Sequence, residues 1–372
     1  MRTKVSVLCE EYFQVKFSNA LSETAIWLSR FRARSTRSFL KFLKVTRQES
    51  VALQAGEFPS ELKTQILASY SANVIFETVH SRDANLQTFA FQQRNLIEIS
   101  GVNLDTKTGM LFNKRNQIIE DSSSWPSAQL ILNSIPRPLW PQRIEVTDES
   151  NYILLPGNSF YHWLIEDLAP FLFSFSQIKN PTVMVYSDAP SYVHEFVETL
   201  QTTVVKVPRF LSLKHLVFTT KNPSSGWPEA VDIELLREHF SYAFTIPEID
   251  RKIYISRLKS TRSPLMEAEL TEILFNEGWQ ILYAEDMGLL EQIKTISSAR
   301  VICGVGGAGL AHITWLSEGA KVIELSPNWY VPCFSRLSQV LGIEYTSIFF
   351  EQNSMSASDV YREISSIVNS TP

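Results

Sequence analysis

Cysteine is scarce in this chain. Three residues, Cys9, Cys303 and Cys333, are scattered over 372 positions, too few and too far apart for a disulfide framework or a zinc site. Their scarcity fits a reducing compartment. No uncharged apolar run reaches the roughly 20 residues that a membrane-spanning helix needs. The opening, MRTKVSVLCEEYF, has a basic start but meets Glu10 and Glu11 before any long apolar region, so no secretory leader is expected. Positive charge is not in excess either: the formal net charge is −5, whereas a surface that neutralises nucleic-acid phosphates would be basic. The chain contains no Asp-x-Asp, which excludes a divalent-cation clamp of that type, so no metal is expected and positive charge at an anion site would come from the protein. Internal repeats and low-complexity tracts are also missing.

What is present is the composition of a folded protein, 44% hydrophobic and 12% aromatic, with length for two domains at roughly 150 residues each. Charge is unevenly spread. Residues 1–50 hold ten Lys or Arg against four Glu, a local +6, which leaves −11 for the remainder. Trp27, Phe31, Phe39 and Phe42 lie among these basic residues, so residues 19–45 are a candidate for peripheral contact with an anionic membrane surface on the cytoplasmic side. The competing reading is a helix packed on its own domain, because Ser35 and Ser38 interrupt the apolar stripe.

From Lys252 onward short β-branched runs alternate with segments of helical period. KIYI, WQILY, RVICG, KVIEL and EYTSIFF are strand candidates, and 266–277, 287–298, 309–317 and 334–341 are helix candidates. Three of these helices end at Gly278, Gly319 or Gly342, in the C-cap position. This alternation predicts a doubly wound parallel α/β sheet. A terminal helix is expected in SASDVYREISSIVNS, with Val360, Ile364, Ile367 and Val368 on one stripe. Residues 151–220 also have α/β character, and 70–120 show the alternation of antiparallel strands. The expected organisation is a basic helical segment 1–50, a β-rich plus α/β domain 51–230, a linker 231–250 rich in turn residues at its approach, a C-terminal α/β domain 251–355 and a terminal helix 356–372.

The chemistry-bearing stretch is ARVICGVGGAGLAHITWLSEGAKVIEL, Ala299–Leu325. Gly304, Gly306 and Gly309 make G-x-G-x-x-G between a strand and a helical pattern, and Glu324 ends the next strand. Such a turn collects free amides at the positive end of a helix, which suits a phosphate. Gly306 and Gly307 leave no side chain between backbone and ligand, and Glu324 is placed to accept from ribose hydroxyls. The alternative is that the glycines only pack a strand against a helix. After Glu324 there is room for one strand-helix unit, one strand and a tail helix, too little for the second half of a dinucleotide fold, which counts against NAD. Arg257 lies just past the strand KIYI, facing the same crevice, with Arg262 five residues on; both are candidates to neutralise a diphosphate, or else surface arginines of a basic loop. On the helix FYHWLIEDLAP, His162 and Glu166 are four residues apart and share a face, while Asp167 points elsewhere. The pair is a candidate base with its orienting partner, or a core histidine and a solvated charge.

Read together, NSFYHWLIEDLAPFL, RKIYISR, EAEL and LYAEDMGLLEQIKTISSARVICGVGGAGLAHITWLSEGAKVIEL resemble glycosyltransferase family 61 over about residues 150–345. That group includes eukaryotic protein O-linked N-acetylglucosaminyltransferases, plant arabinosyl- and xylosyltransferases, and bacterial capsule or exopolysaccharide enzymes. The resemblance implies a GT-B fold, two Rossmann-like α/β domains facing a cleft, with the C-terminal one holding a nucleotide sugar, UDP-linked by family analogy. It also implies inverting transfer to a glycan or lipid-linked glycan acceptor without a metal. Arg257 and Arg262 match the family's arginines; Glu267, Glu269 and Leu270 match its N-E-x-E-L, with Met266 replacing the asparagine; Glu285 and Gln292 match its acidic residue and E-Q-I glutamine; Gly304, Gly307, Ala308, Gly309 and Leu310 match G-P-H-G-A-G-L; and His162, Trp163 and Glu166 match in the N-terminal half. Two departures stand: Gly306 occupies the histidine position of the glycine loop, and His312 that of a following asparagine, from where it is expected either to substitute for that histidine at the diphosphate or acceptor or to mark an altered function. The readings left open besides transfer are an NAD-dependent oxidoreductase and a catalytically inactive glycan- or nucleotide-binding homologue.

Overall fold

The computed structural model describes residues 50–51, 64–70, 76–79, 86–89, 93–114, 118–119, 122, 144–146, 151–157, 159–222, 225–244, 251–260, 263–327, 331–350 and 355–370. The basic segment, including residues 19–45, and Arg262 lie outside the described residues.

The five apolar runs of the C-terminal part become strands Lys252–Ile255, Gln280–Leu282, Val301–Val305, Lys321–Pro327 and Glu344–Phe350. They form one all-parallel sheet and, in chain order, pair 2-1-3-4-5. Strands buried on both faces read as continuous apolar runs, and alternate residues divide between two cores. Ile253, Ile255, Ile302 and Val322 enter one; Tyr254, Cys303, Val305, Ile323 and Leu325 enter the other. The second core is closed by helices Glu267–Asn276 and Ala357–Asn369. The terminal helix starts on a capping box in which Asp359 N–H donates to Ser356 Oγ (3.2 Å) and Ser356 N–H to Asp359 Oδ2 (3.0 Å). Of its expected stripe, Val360 and Ile364 are fully buried, each stabilising by roughly 1.5–3 kcal/mol. Gly342 ends helix Cys333–Leu341 at φ +65°, the left-handed cap that a side chain resists.

Two expectations change. Residues 309–317 are not an α-helix; Ala308–Trp315 winds as a 3₁₀ segment, with Leu310 to Trp315 all buried. Covered on every side, the segment has no amphipathic stripe, and Arg237 Nη1 donates to the carbonyls of Thr314 (2.5 Å) and Leu316 (2.8 Å), so tertiary contacts set its winding. The stretch expected as a linker, 231–250, is in its described part largely the helix Ala230–His239, whose Ile233 and Leu236 lie in the main core with Phe240.

In the N-terminal part a three-stranded parallel sheet, Tyr152–Leu155, Thr182–Tyr186 and Thr203–Val207, is sandwiched. Ile153, Leu155, Val183 and Val185 pack with the helices, and Tyr152, Leu154, Met184 and Val205 with a seven-stranded mixed sheet built on the antiparallel pair Arg94–Asp105 and Phe210–Thr219. Buried Arg94 ties that sheet to helix Ala230–His239 by donating to Glu229 (2.8 Å) and Asp232 (3.0 Å). Helix Phe160–His162 passes through a π-helical turn, Trp163–Asp167, into Leu168–Gln177. Pro170 neither ends nor interrupts the last segment. A proline ring crowds the carbonyl four residues back, here Glu166, and a widened turn relieves that crowding. One apolar core runs from Ile153 through Leu168, Phe240 and Ile302 to Ile343, so both α/β parts pack on a common helical layer.

Candidate functional site

In a 2-1-3-4-5 parallel sheet the connections leave the first strand in one direction and the third in the other, and the crevice between their carboxyl ends is where ligands bind. Here those ends carry Arg257 and the glycine turn. Strand Lys252–Ile255 pairs with Val301–Val305 so that Ile255 opposes Gly304, and both chains then turn outward side by side. Arg257 Nη1 donates to Gly306 O (2.7 Å), and Nη2 to Ser260 Oγ (3.1 Å). A Cβ built on Gly307 would stand 2.6 Å from that Nη1, so the missing side chain is what admits the guanidinium. Gly304 and Gly309 serve packing instead: added Cβ atoms there would meet Ile255 at 3.2–3.4 Å and 3.3 Å. The two readings of the turn therefore divide among its glycines. Because a 3₁₀ segment follows, beginning at Ala308, the expected α-helix dipole is not part of the site; its positive charge is Arg257.

Arg257 is held from below. Glu267, buried at the start of its helix, accepts from Arg257 N–H (2.6 Å) and Ser256 Oγ (3.1 Å) through Oε1, and from Tyr254 Oη (2.8 Å) through Oε2. Gln292 holds the neighbouring loop in the same manner, donating to the carbonyls of Ala284 (2.7 Å) and Met287 (2.8 Å). Glu285, on that loop, is exposed.

Glu324 is placed otherwise than at a ribose. Its carboxyl is 2% exposed, turned toward Gly306, where an added Cβ would lie 2.5 Å from Oε1. Tyr345 Oη donates to Oε2 (2.5 Å). Burial pushes Glu324 up to about 7, against the opposing hydrogen bonds from Tyr345 and Ser326. The absence of a side chain at 306 is thus filled by an ionisable group from the next strand. His312, expected at the diphosphate, is 1% exposed with its ring 4.5 Å from that of Phe160. Burial pushes it down to about 3, so it stays neutral and packs between the two parts.

On the N-terminal side, the π-helical turn presents Glu166, and His162 ends the short helix just before it. Glu166 Oε2 is 2.7 Å from His162 Nδ1, and Oε1 accepts from Ser225 Oγ (2.7 Å) and Gly226 N–H (2.8 Å). Asp167 diverges, as its position on the helix required, and accepts from buried Lys221. Cys333 lies beside the turn of Ser225 and Gly226: a Cβ built on Gly226 would stand 3.7 Å from the Cβ of Cys333. Burial pushes Cys333 well up, and Glu324 and then Glu166 add to the effect; Tyr161, buried next to it, is raised by burial, Cys333 and Glu166. The fold thus brings the candidate base and the glycine turn to one neighbourhood. Sequence reasoning missed four participants: Ser225, Gly226, Tyr345 and Arg336. Of these, only the Ser-Ser-Gly-Trp turn carried a signal, and it was read as a connection.

Among the described residues no three His, Cys, Asp or Glu cluster as metal ligands, and no helix is long and apolar enough to cross a membrane. A cavity of about 230 Å³ between helices Ser191–Glu198 and Leu289–Ser297 lies apart from the glycine turn, its Glu195 already accepting from Leu289 N–H (2.8 Å).

A family model described as Glycosyltransferase 61 matches residues 160–323. A segment of 83 residues, 22% of this chain, is 32% identical to the Beta-1,2-xylosyltransferase RCN11 of Oryza sativa subsp. japonica. The segment covers 16% of the length of that rice protein. The family match takes in His162, Glu166, Arg257 and the whole glycine turn, and stops one residue before Glu324.

Proposed function

We propose that this chain, which carries a glycosyltransferase family 61 domain over residues 160–323, is an inverting, metal-independent transferase. It moves a sugar from a UDP-linked donor to a hydroxyl of a glycan acceptor in polysaccharide biosynthesis. The observation that carries this reading is the placement of Arg257 against Gly306 and Gly307 at the crossover of a 2-1-3-4-5 sheet. In this reading the diphosphate takes over the guanidinium now donating to Gly306 O, and the turn's amides add uncharged donors. The parallel sheet with the glycine turn and the part carrying Glu166 correspond to the two halves of a GT-B enzyme.

The chemistry follows from where the charge goes. Glu166, oriented by His162, takes the acceptor hydroxyl proton as the oxygen attacks the anomeric carbon. The bond from that carbon to the diphosphate oxygen breaks, the configuration inverts, and the electron pair leaves on the diphosphate, where Arg257 meets it. The name of the rice relative makes UDP-xylose the first donor to try. A panel of UDP-sugars should show donor hydrolysis or transfer, with Glu166→Ala lowering kcat by about 10²–10⁴-fold and Arg257→Ala weakening UDP binding in calorimetry by about tenfold or more. Equal rates in Glu166→Ala would remove that carboxylate from the mechanism, and thermal stabilisation by NAD but not by UDP would overturn the reading as a whole.

A further inference from the structure

Arg336 stands in the first turns of helix Cys333–Leu341, beyond the matched family segment, with only 7% of its surface exposed. It reaches from the C-terminal sheet to the turn that holds Glu166. Its Nη1 donates to Gly226 O (2.9 Å), and its guanidinium carbon lies 3.4 Å from the centroid of the Trp227 ring. Gly226 N–H donates to Glu166 Oε1, and so does Ser225 Oγ. Gly226 has φ +82°, a region that L side chains rarely adopt. One short turn is therefore gripped from two sides, one amide and a hydroxyl by a carboxylate from one part of the fold and a carbonyl by a guanidinium from the other.

We propose that Arg336 is a positioning residue for Glu166: through the carbonyl of Gly226, and stacked on Trp227, it fixes the turn that aims the carboxylate and places a positive charge one peptide unit behind it. Two physical points favour this role. A planar fork stacked on an indole is held in one orientation, so the carbonyl it binds is held as well. The carbonyl and the N–H of Gly226 belong to one residue, so fixing the first also fixes the second, which donates to Glu166 Oε1 at 2.8 Å. The consequence is that Glu166, on an N-terminal helix, is ordered by a helix that follows the fourth strand of the C-terminal sheet. The proposal rests on the transfer reading only in calling Glu166 the base.

Four variants test it: Arg336→Gln, Arg336→Lys, Gly226→Ala and Trp227→Leu. Arg336→Gln and Gly226→Ala should lower kcat about tenfold to a hundredfold with donor KM within about twofold. Arg336→Lys, which keeps the charge but not the planar fork on the indole, should recover only part of the rate. Trp227→Leu, which removes the stack but leaves the Gly226 carbonyl for Arg336, keeps the test open if Arg336→Gln does not fold, and should lower kcat less than Arg336→Gln does. A wild-type kcat in Arg336→Gln, or a loss carried by donor KM alone, would overturn the proposal. The ¹⁵N resonance of His162 Nδ1, bonded to Glu166, provides a readout independent of turnover. It should shift in Arg336→Gln and Gly226→Ala, and an unchanged resonance in both would count against positioning even if the wild-type chain transfers no sugar, an outcome that would defeat the functional reading alone.

Discussion

Replacing Glu324 by Gln should make the protein more stable relative to wild type as pH rises. The carboxyl is buried against Gly306 and Tyr345, and burial raises its pKa from the ordinary 4.5 to about 7. A carboxyl whose folded pKa lies above its unfolded one favours folding in its protonated form. That contribution is complete below about 4.5 and is lost as pH climbs through about 7. At roughly 1.4 kcal/mol per pH unit, the interval from 4.5 to about 7 amounts to about 3 kcal/mol. Gln mimics the protonated acid: its carbonyl accepts from Tyr345 Oη and its amide fills the space beside Gly306, with nothing to ionise. Urea unfolding of both proteins near pH 5 and near pH 8.5 gives the two differences in unfolding free energy. The balance should move toward the Gln variant by about 2.5 kcal/mol between the two conditions, since a little of the contribution is already lost at pH 5. A difference that stays constant within about 0.5 kcal/mol would refute the buried, uncharged carboxyl. The same titration bears on function, because an ionised Glu324 adds negative charge beneath the turn proposed to meet a diphosphate.

Gly307→Ala places a Cβ 2.6 Å from Arg257 Nη1 on backbone that is already extended, φ 165°, so the backbone is not strained and the guanidinium must move. UDP affinity in calorimetry should fall about tenfold with little change in Tm, and an unchanged Kd would separate Arg257 from the turn. Ile364→Ala, at a fully buried site between the terminal helix and helix Glu267–Asn276, should cost about 2–5 kcal/mol in urea unfolding; a cost below about 1 kcal/mol would mean the terminal helix is not docked as described.

Local pattern carried much of the C-terminal part. The strand runs, the terminal helix with its Ser356–Asp359 cap, and the cap glycines Gly278 and Gly342, both at positive φ, follow from interactions within a few residues in sequence, whereas Gly319, also at positive φ, lies in a turn beyond the 3₁₀ segment. The i to i+4 pairing of His162 and Glu166 was legible for the same reason, since one helix places both. Local pattern failed at Ala308–Trp315, where every side of the segment meets another element; at Ala230–His239 the helical period of AVDIELLREHF was legible, but turn residues upstream suggested a connection, whereas Ile233, Leu236 and Phe240 enter the core.

What the sequence by itself determined is the set of short-range choices: which runs are strands, where helices are capped, and which glycines leave space at a turn. The partners that fill that space belong to the tertiary structure. Gly306 takes in a carboxyl group from the next strand, Gly307 a guanidinium from just past the first, and the turn behind Glu166 is bound by Arg336, 110 residues from Gly226. A missing side chain can be read in a sequence, but which distant group occupies the space depends on strand order and helix packing, the sum of many weak contacts among residues far apart along the chain.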